Sequence, residues 1–139
     1  MDFSFITHQP VLVGAAVVVA VLLLIVEWLL KKQEAEGCTP TQLVNMLNHE
    51  HAKVLDIRKK EIFQQGHILG ATWCDPKTLP TAPVLIQGKE APILVLVCQQ
   101  GLESRSLANS LKGSGFSVRY LKGGLEVWRT EGLPLVKSK

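Results

Sequence analysis

The sequence predicts an α/β domain with a mostly parallel sheet flanked by helices, preceded by one transmembrane helix. Three observations carry this reading. Short apolar runs alternate with short helical patterns from Thr39 onward, the pattern of strands joined by helical crossovers. One run, Ile93–Val97, is apolar at all five positions, as in a strand buried on both faces of a parallel sheet. The first thirty residues hold no Lys or Arg, and all fifteen basic residues lie in 31–139, so the chain has two physically different parts. At 139 residues it has the length of about one domain. With 47% apolar and 19% charged residues it is not a disordered chain. Three cysteines and no glycine period exclude a disulfide scaffold and a collagen.

From Val11 to Val26 nothing is more polar than Gly14, and the run from Pro10 to Leu30 is interrupted only by Glu27. Twenty helical residues reach roughly 30 Å, the thickness of a bilayer's hydrocarbon core. Glu27 lies one turn from the end, where its charge can reach the interface, and Trp28 beside it suits that interface. The apolar character runs round every face, unlike an amphipathic surface helix. A cleaved secretory signal fits poorly. Met1–Pro10 has no basic residue, and the bulky, charged stretch Val26–Lys32 offers no small-residue cleavage site. Lys31 and Lys32 directly follow the span, so the positive-inside tendency puts the C-terminal part in the cytoplasm and the N-terminus outside. The expected organisation is an extracytoplasmic tail (1–10), the transmembrane helix (11–30), a linker (31–38), the folded domain (39–136) and a short tail (137–139).

Residues 31–139 carry fifteen basic and ten acidic side chains, the chain's twelve acidic residues less Asp2 and Glu27. An excess of +5 suits a domain tethered near anionic lipid. It is too small to indicate nucleic-acid binding, and no basic stripe interleaved with aromatics accompanies it. Cys38, Cys74 and Cys98 are odd in number, with no Cys-x-x-Cys pair, which suits neither a disulfide framework nor a zinc site. His8, His49, His51 and His67 form no ligand pattern with them, so neither metal nor cofactor is expected.

Within the domain, Thr39 reads as an N-cap with Pro40 at the first helical position and Gln42 completing a capping box. Strands are expected at Lys53–Ile57, Ala71–Trp73, Ile93–Val97 and Val118–Leu121. Helices are expected at Lys60–Gln65, at Ser104–Leu111 with Ser104 as N-cap, and at Leu125–Thr130 before Gly132 and Pro134. In parallel sheets ligands sit beyond the C-terminal ends of the strands, and the residue after Val97 is Cys98. A glycine turn and then a helix N-terminus follow it. Backbone N–H groups wrapped around the sulfur, with the positive end of the helix, favour a thiolate, the nucleophilic form.

Three segments in order resemble a single rhodanese domain. The first is Leu55-Asp56-Ile57-Arg58 continued by Glu61 to Ala71, with Gly66-His67-Ile68-Leu69-Gly70-Ala71 at its end. The second is Cys98-x-x-Gly101-x-x-Ser104. The third is Leu121-Lys122-Gly123-Gly124-Leu125-Glu126-Val127-Trp128, ending in Gly132-Leu133-Pro134. Together they cover roughly Thr39 to Leu135. With the N-terminal span, the chain resembles the small membrane-anchored rhodanese proteins of the bacterial inner membrane. The resemblance implies sulfur transfer. Cys98 would take the outer sulfur of thiosulfate or of a persulfide donor and pass it to a thiol or protein acceptor. The substrate loop would be Gln99, Gln100, Gly101, Leu102, Glu103, Ser104 and Arg105. Rhodanese-like domains also serve as interaction modules, so the alternative is a tethered module acting with another inner-membrane protein.

Glu103 stands where many such enzymes carry a basic residue, and an acidic group there repels a dianion such as thiosulfate; Arg105 is the candidate compensating charge. The related phosphatases use Cys-x5-Arg. Here the sixth position after Cys98 is Ser104 and the arginine comes one later, which argues against phosphate chemistry. Asp56, Arg58 and His67 are candidate supporting residues. The simpler readings are an ion pair of Asp56 and Arg58 with Glu61, and a turn-holding role for His67. Cys74, at a strand end after Trp73, is the candidate resolving thiol if it lies near Cys98; the simpler reading is an inert, packed cysteine.

Overall fold

The computed structural model describes residues 10–32, 34–79, 92–113 and 115–138. They fall into two compact units divided after Glu34. The expected N-terminal tail, except Pro10, lies outside the described residues, as do Gln33 of the linker and the last residue, Lys139.

The first unit is one helix, α1 (Pro10–Lys32), of 23 residues. At about 1.5 Å per residue it is about 35 Å long, enough to cross a hydrocarbon core. Its apolar side chains are exposed on all sides. Lys31 pairs with Glu27 one turn earlier at 3.1 Å, so the one acid in the apolar run is matched at its C-terminal end.

The second unit runs β1 (Glu36–Cys38), α2 (Pro40–His49), β2 (Ala52–Asp56), α3 (Lys60–Gln65), β3 (Thr72–Trp73), β4 (Ile93–Val97), α4 (Leu102–Leu111), β5 (Val118–Leu121) and α5 (Gly124–Thr130). Among the described residues these strands form one parallel sheet in the order β1-β5-β4-β2-β3. The capping box at α2 closes as its sequence implies: Gln42 N donates to Thr39 Oγ1 at 3.3 Å and Thr39 N to Gln42 Oε1 at 2.9 Å. Glu36–Cys38, read from the sequence as linker, form an edge strand instead. Three residues with no apolar period give no strand signal; their place comes from the ladder with Arg119–Leu121. Ala35 N is also tied to Asn109 Oδ1 of α4, and Cys38 is buried.

β4 is buried because both faces are covered. Leu94 and Leu96 join Leu55, Ala108 and Leu111 on the α4 side. Val95 and Val97 join Leu43, Met46, Leu125 and Trp128 under α2 and α5. Trp128 Nε1 donates to Pro134 O at 3.1 Å, which satisfies the indole in the core. Register decides where the chemistry falls. Asp56 stands beside Val97 on one side and Trp73 on the other. The C-terminal ends of β4, β2 and β3 therefore form one ledge, and Cys98, Ile57 and Cys74 step off it together.

Candidate active site

Cys98 leaves β4 and the chain turns at once. Gly101, at φ +86°, is the N-cap of α4. A left-handed residue there lets the helix begin at Leu102, two residues earlier than the sequence suggests. Ser104 is therefore not the cap. It lies in the first turn, fully buried, with its side chain turned to the sulfur. Gly101 N donates to Cys98 Sγ at 3.0 Å and Ser104 N at 3.4 Å. The thiol donates to Ser104 Oγ at 3.2 Å, and that hydroxyl donates to Gly101 O at 3.2 Å. Two amides and a rotatable hydroxyl at a helix N-terminus form a cradle for negative charge on sulfur.

The carbonyls of the same loop point the other way. Cys98 O accepts Leu125 N at 3.0 Å and Gln99 O accepts Glu126 N at 3.1 Å, so the first turn of α5 takes them. The approach is close. A Cβ on Gly124, at φ +60°, would lie 2.4 Å from Cys98 O, and one on Gly101 would lie 2.9 Å from Gly123 N. Read from the sequence as a packing turn for the last helix, Gly123–Gly124 also holds the Cys98 loop.

Cys98 lies on the floor of a cleft of about 1080 Å³. Gln99, Gln100, Leu102 and Glu103 line one side; Ile57 to Ile62 and Trp73 with Asp75 to Lys77 line the other. Arg105 is not on this lining; it is exposed on α4, with its backbone N–H donated to Gly101 O. Lys59 and Lys77 went unnoticed in the sequence, although each follows the C-terminal end of a strand, where ligand-facing residues belong.

Asp56 and Arg58 form a buried ion pair with each other, and Glu61 takes no part. Arg58 Nε lies 2.9 and 3.1 Å from the two carboxylate oxygens and Nη2 lies 2.6 Å from Oδ2. Nη2 also donates to Gly66 O at 2.7 Å, and Arg58 O accepts Trp73 Nε1 at 2.8 Å. The pair thus ties the end of β2 to the far end of α3 and to β3. His67 is buried away from the cleft lining. Its Nδ1 lies 2.9 Å from Phe63 O, its ring stacks on Phe63, and its backbone pairs with Val136. Cys74 shares a buried cluster with Cys98. Because β2 separates their strands, their Cα atoms stand two strand spacings apart, about 10 Å, beyond the about 7 Å that a disulfide spans. Burial pushes the Cys74 and Cys38 thiols up from the ordinary range.

The sequence model of the rhodanese-like domain family matches residues 39–131. The chain belongs to the rhodanese-like domain family. It is 30% identical to the uncharacterized protein YibN of Escherichia coli K12, over 98% of this chain and 96% of YibN. It is 41% identical to the thiosulfate sulfurtransferase GlpE of Pseudomonas putida GB-1, over 69% of this chain and 86% of GlpE. The crystal structure of a thiosulfate sulfurtransferase from Pseudomonas aeruginosa superposes with a TM-score of 0.66 and 28% identity, over 75% of this chain and 20% of that one. The rhodanese fold and a sulfurtransferase-family domain, with an apolar N-terminal helix long enough to span a membrane, thus describe this chain.

Two outcomes follow from this geometry. At pH 8 a small alkylating reagent should label Cys98 of the folded full-length chain first. Cys38 and Cys74 lie off the cleft, and their raised thiols stay protonated there, becoming reactive only as pH climbs above the usual thiol value of about 8.5. Peptide mapping across a pH series checks the order. Asp56→Ala leaves the Arg58 charge buried and unpaired, and should cost about 3–5 kcal/mol in urea unfolding. The double variant Asp56→Ala/Arg58→Met should recover part of that loss.

Proposed function

We propose that this protein is a membrane-anchored sulfurtransferase in which Cys98 carries sulfane sulfur as a persulfide. The observation that carries this reading is the direction of the loop dipoles. The amides of Gly101 and Ser104 face Cys98 Sγ, while the nearby Cys98 and Gln99 carbonyls are held by α5.

The Cys98 thiolate attacks the outer sulfur of the donor. With thiosulfate, a bond forms between Cys98 Sγ and that sulfur, the donor's S–S bond breaks, and sulfite leaves with the bonding electron pair. The anionic Cys98 persulfide remains in the cradle. An acceptor thiolate then attacks its terminal sulfur, and Cys98 leaves as thiolate. Each half is a covalent displacement, and no outside oxidant is consumed. The Ser104 hydroxyl, which donates to Gly101 O beside the thiol, can swing its proton to a negative sulfur. Such preorganised donors act where charge develops. GlpE of P. putida is named a thiosulfate sulfurtransferase, which supports the reaction class.

Anchoring rests on α1, whose exposed apolar surface has the length of a membrane span. Lys31 and Lys32 follow its apolar run, which puts the domain on the cytoplasmic side of a bacterial inner membrane. The domain then meets donors and acceptors in the cytoplasm, close to the bilayer.

Intact mass of the full-length chain in mild detergent tests the chemistry. After incubation with thiosulfate or a low-molecular-weight persulfide, the wild type should gain one sulfur atom and lose it to cyanide. The Cys98→Ser chain should gain none. A folded wild type that gains no sulfur from either donor overturns the reading. The anchor is checked in cell membranes. The chain should resist alkaline carbonate extraction, and its domain should be digested by protease in inverted vesicles but not in spheroplasts. Release by carbonate would refute the span, and digestion in spheroplasts would refute the orientation.

A further inference from the structure

We propose that residues 59–66 form a flap over the sulfur site, latched by the C-terminal segment at Ser138, and that release of the latch sets how bulky a molecule can reach Cys98. The proposal concerns access to the thiol and does not depend on what the thiol carries.

The build of the flap is the first observation. α3 is six residues long, with no buried residue and no side-chain cap at its N-terminus. Phe63 is half-buried and its other five residues are exposed. Isolated helices shorter than about 12–15 residues are marginal in water, so α3 owes its order to what it touches. Its feet, by contrast, are fixed. Arg58 and Gly66 are both buried, and Arg58 Nη2 donates to Gly66 O at 2.7 Å. A segment whose two ends are bonded to each other can move as one body while the core beneath keeps its contacts. Surface excursions with closed ends of this kind are frequently functional.

The ties on the flap are the second observation. Among the described residues, Lys60 lies 5.6 Å over the Trp73 ring, an exposed contact of small worth. His67 stacks on Phe63 and its Nδ1 bonds to Phe63 O. Ser138 N donates to Gln64 O at 3.2 Å. The last two ties both lead to the C-terminal segment, because His67 exchanges two backbone hydrogen bonds with Val136, at 2.9 and 2.8 Å. This segment is the strap that holds the last turn of α3.

Placement is the third observation. Lys59 to Ile62 form part of one cleft wall, and Leu102 stands on the wall that α4 contributes. Cys98 on the floor is only 3% exposed. With the strap closed, the cleft has room for a molecule of drug size. A thiol carried on a larger body needs the α3 wall to lift. Ser138 and Val136 are therefore positioning residues, acting on the sulfur site through α3.

Hydrogen exchange of the full-length chain in mild detergent, read by mass spectrometry, measures the flap. Peptides from 59–66 should exchange about tenfold or more faster than those from 103–111 of α4, since local opening draws on weakly held segments. Ser138→Pro has no N–H to give Gln64 O, and a chain ending at Leu135 lacks the strap altogether. In both, exchange in 59–66 should rise while α4 stays as it was. Loss of one hydrogen bond shifts an opening equilibrium roughly two- to tenfold. Labelling of Cys98 by a polyethylene-glycol maleimide several kilodaltons in size should quicken by that factor in Ser138→Pro. Labelling by N-ethylmaleimide, which shares the reactive group but is small, should not change. The Cys98→Ser chain gives the background from the other thiols. A wild-type flap that exchanges as slowly as α4 overturns the proposal. So does an equal rise in α4, which would mean that the whole domain had loosened. A ratio of bulky to small labelling that stays constant in folded Ser138→Pro also overturns it.

Discussion

The site depends on an interlock between two turns. The loop after β4 can aim its amides at Cys98 only because its carbonyls are taken elsewhere, by the first amides of α5. That contact is too close for a side chain at Gly124, where a Cβ would fall within 2.6 Å of two carbonyl oxygens. Each partner thereby satisfies the other. The helix gains acceptors for N–H groups its own backbone leaves free, and the loop gains a fixed direction for its dipoles. A sulfur cradle made of backbone is thus held by a glycine turn more than twenty residues away in sequence.

The opposite wall is built from a different interaction. A buried arginine is tolerated beside the cleft because Asp56 meets its Nε and Nη2 along one edge and Gly66 O takes a further hydrogen bond from Nη2. The guanidinium acts as a rigid strut between β2, the end of α3 and the indole of Trp73. His67 finishes the same corner by stacking on Phe63 and pairing with Val136, which fastens the C-terminal segment to the domain. None of these groups needs to touch a substrate to matter; they set the shape of the wall that faces Cys98.

These two constructions leave a site with little bias of its own toward small anions. The cradle provides local donors for one negative sulfur, but the cleft above it is balanced in charge and partly apolar. Arg105, the arginine nearest the loop in sequence, does not line it.

Much of this was legible in the residues. The apolar run from Val11 to Val26 reads as one long helix, and Pro10–Lys32 is one, long and apolar enough to cross a membrane; five apolar residues at Ile93–Val97 read as a strand covered on both faces, which the two core clusters bear out. The capping box at Thr39 closes through local bonds, so its sequence sufficed. The nucleophile candidate followed because parallel strands deliver their next residue to the ligand face. The start of α4 was misplaced because a left-handed glycine cap leaves no side-chain signature, and Ser104 reads as a cap only when the sulfur beside it is unseen. β1 was missed because Glu36–Cys38 become a strand solely by pairing with β5. The grip of α5 on the Cys98 loop and the meeting of Lys59, Lys77 and Glu103 around one cleft were decided by how distant segments assemble, whereas the Asp56–Arg58 pair joins neighbours in sequence. A one-dimensional pattern records which side chains an element buries. It does not record which distant backbone groups will stand opposite one another once the sheet is assembled.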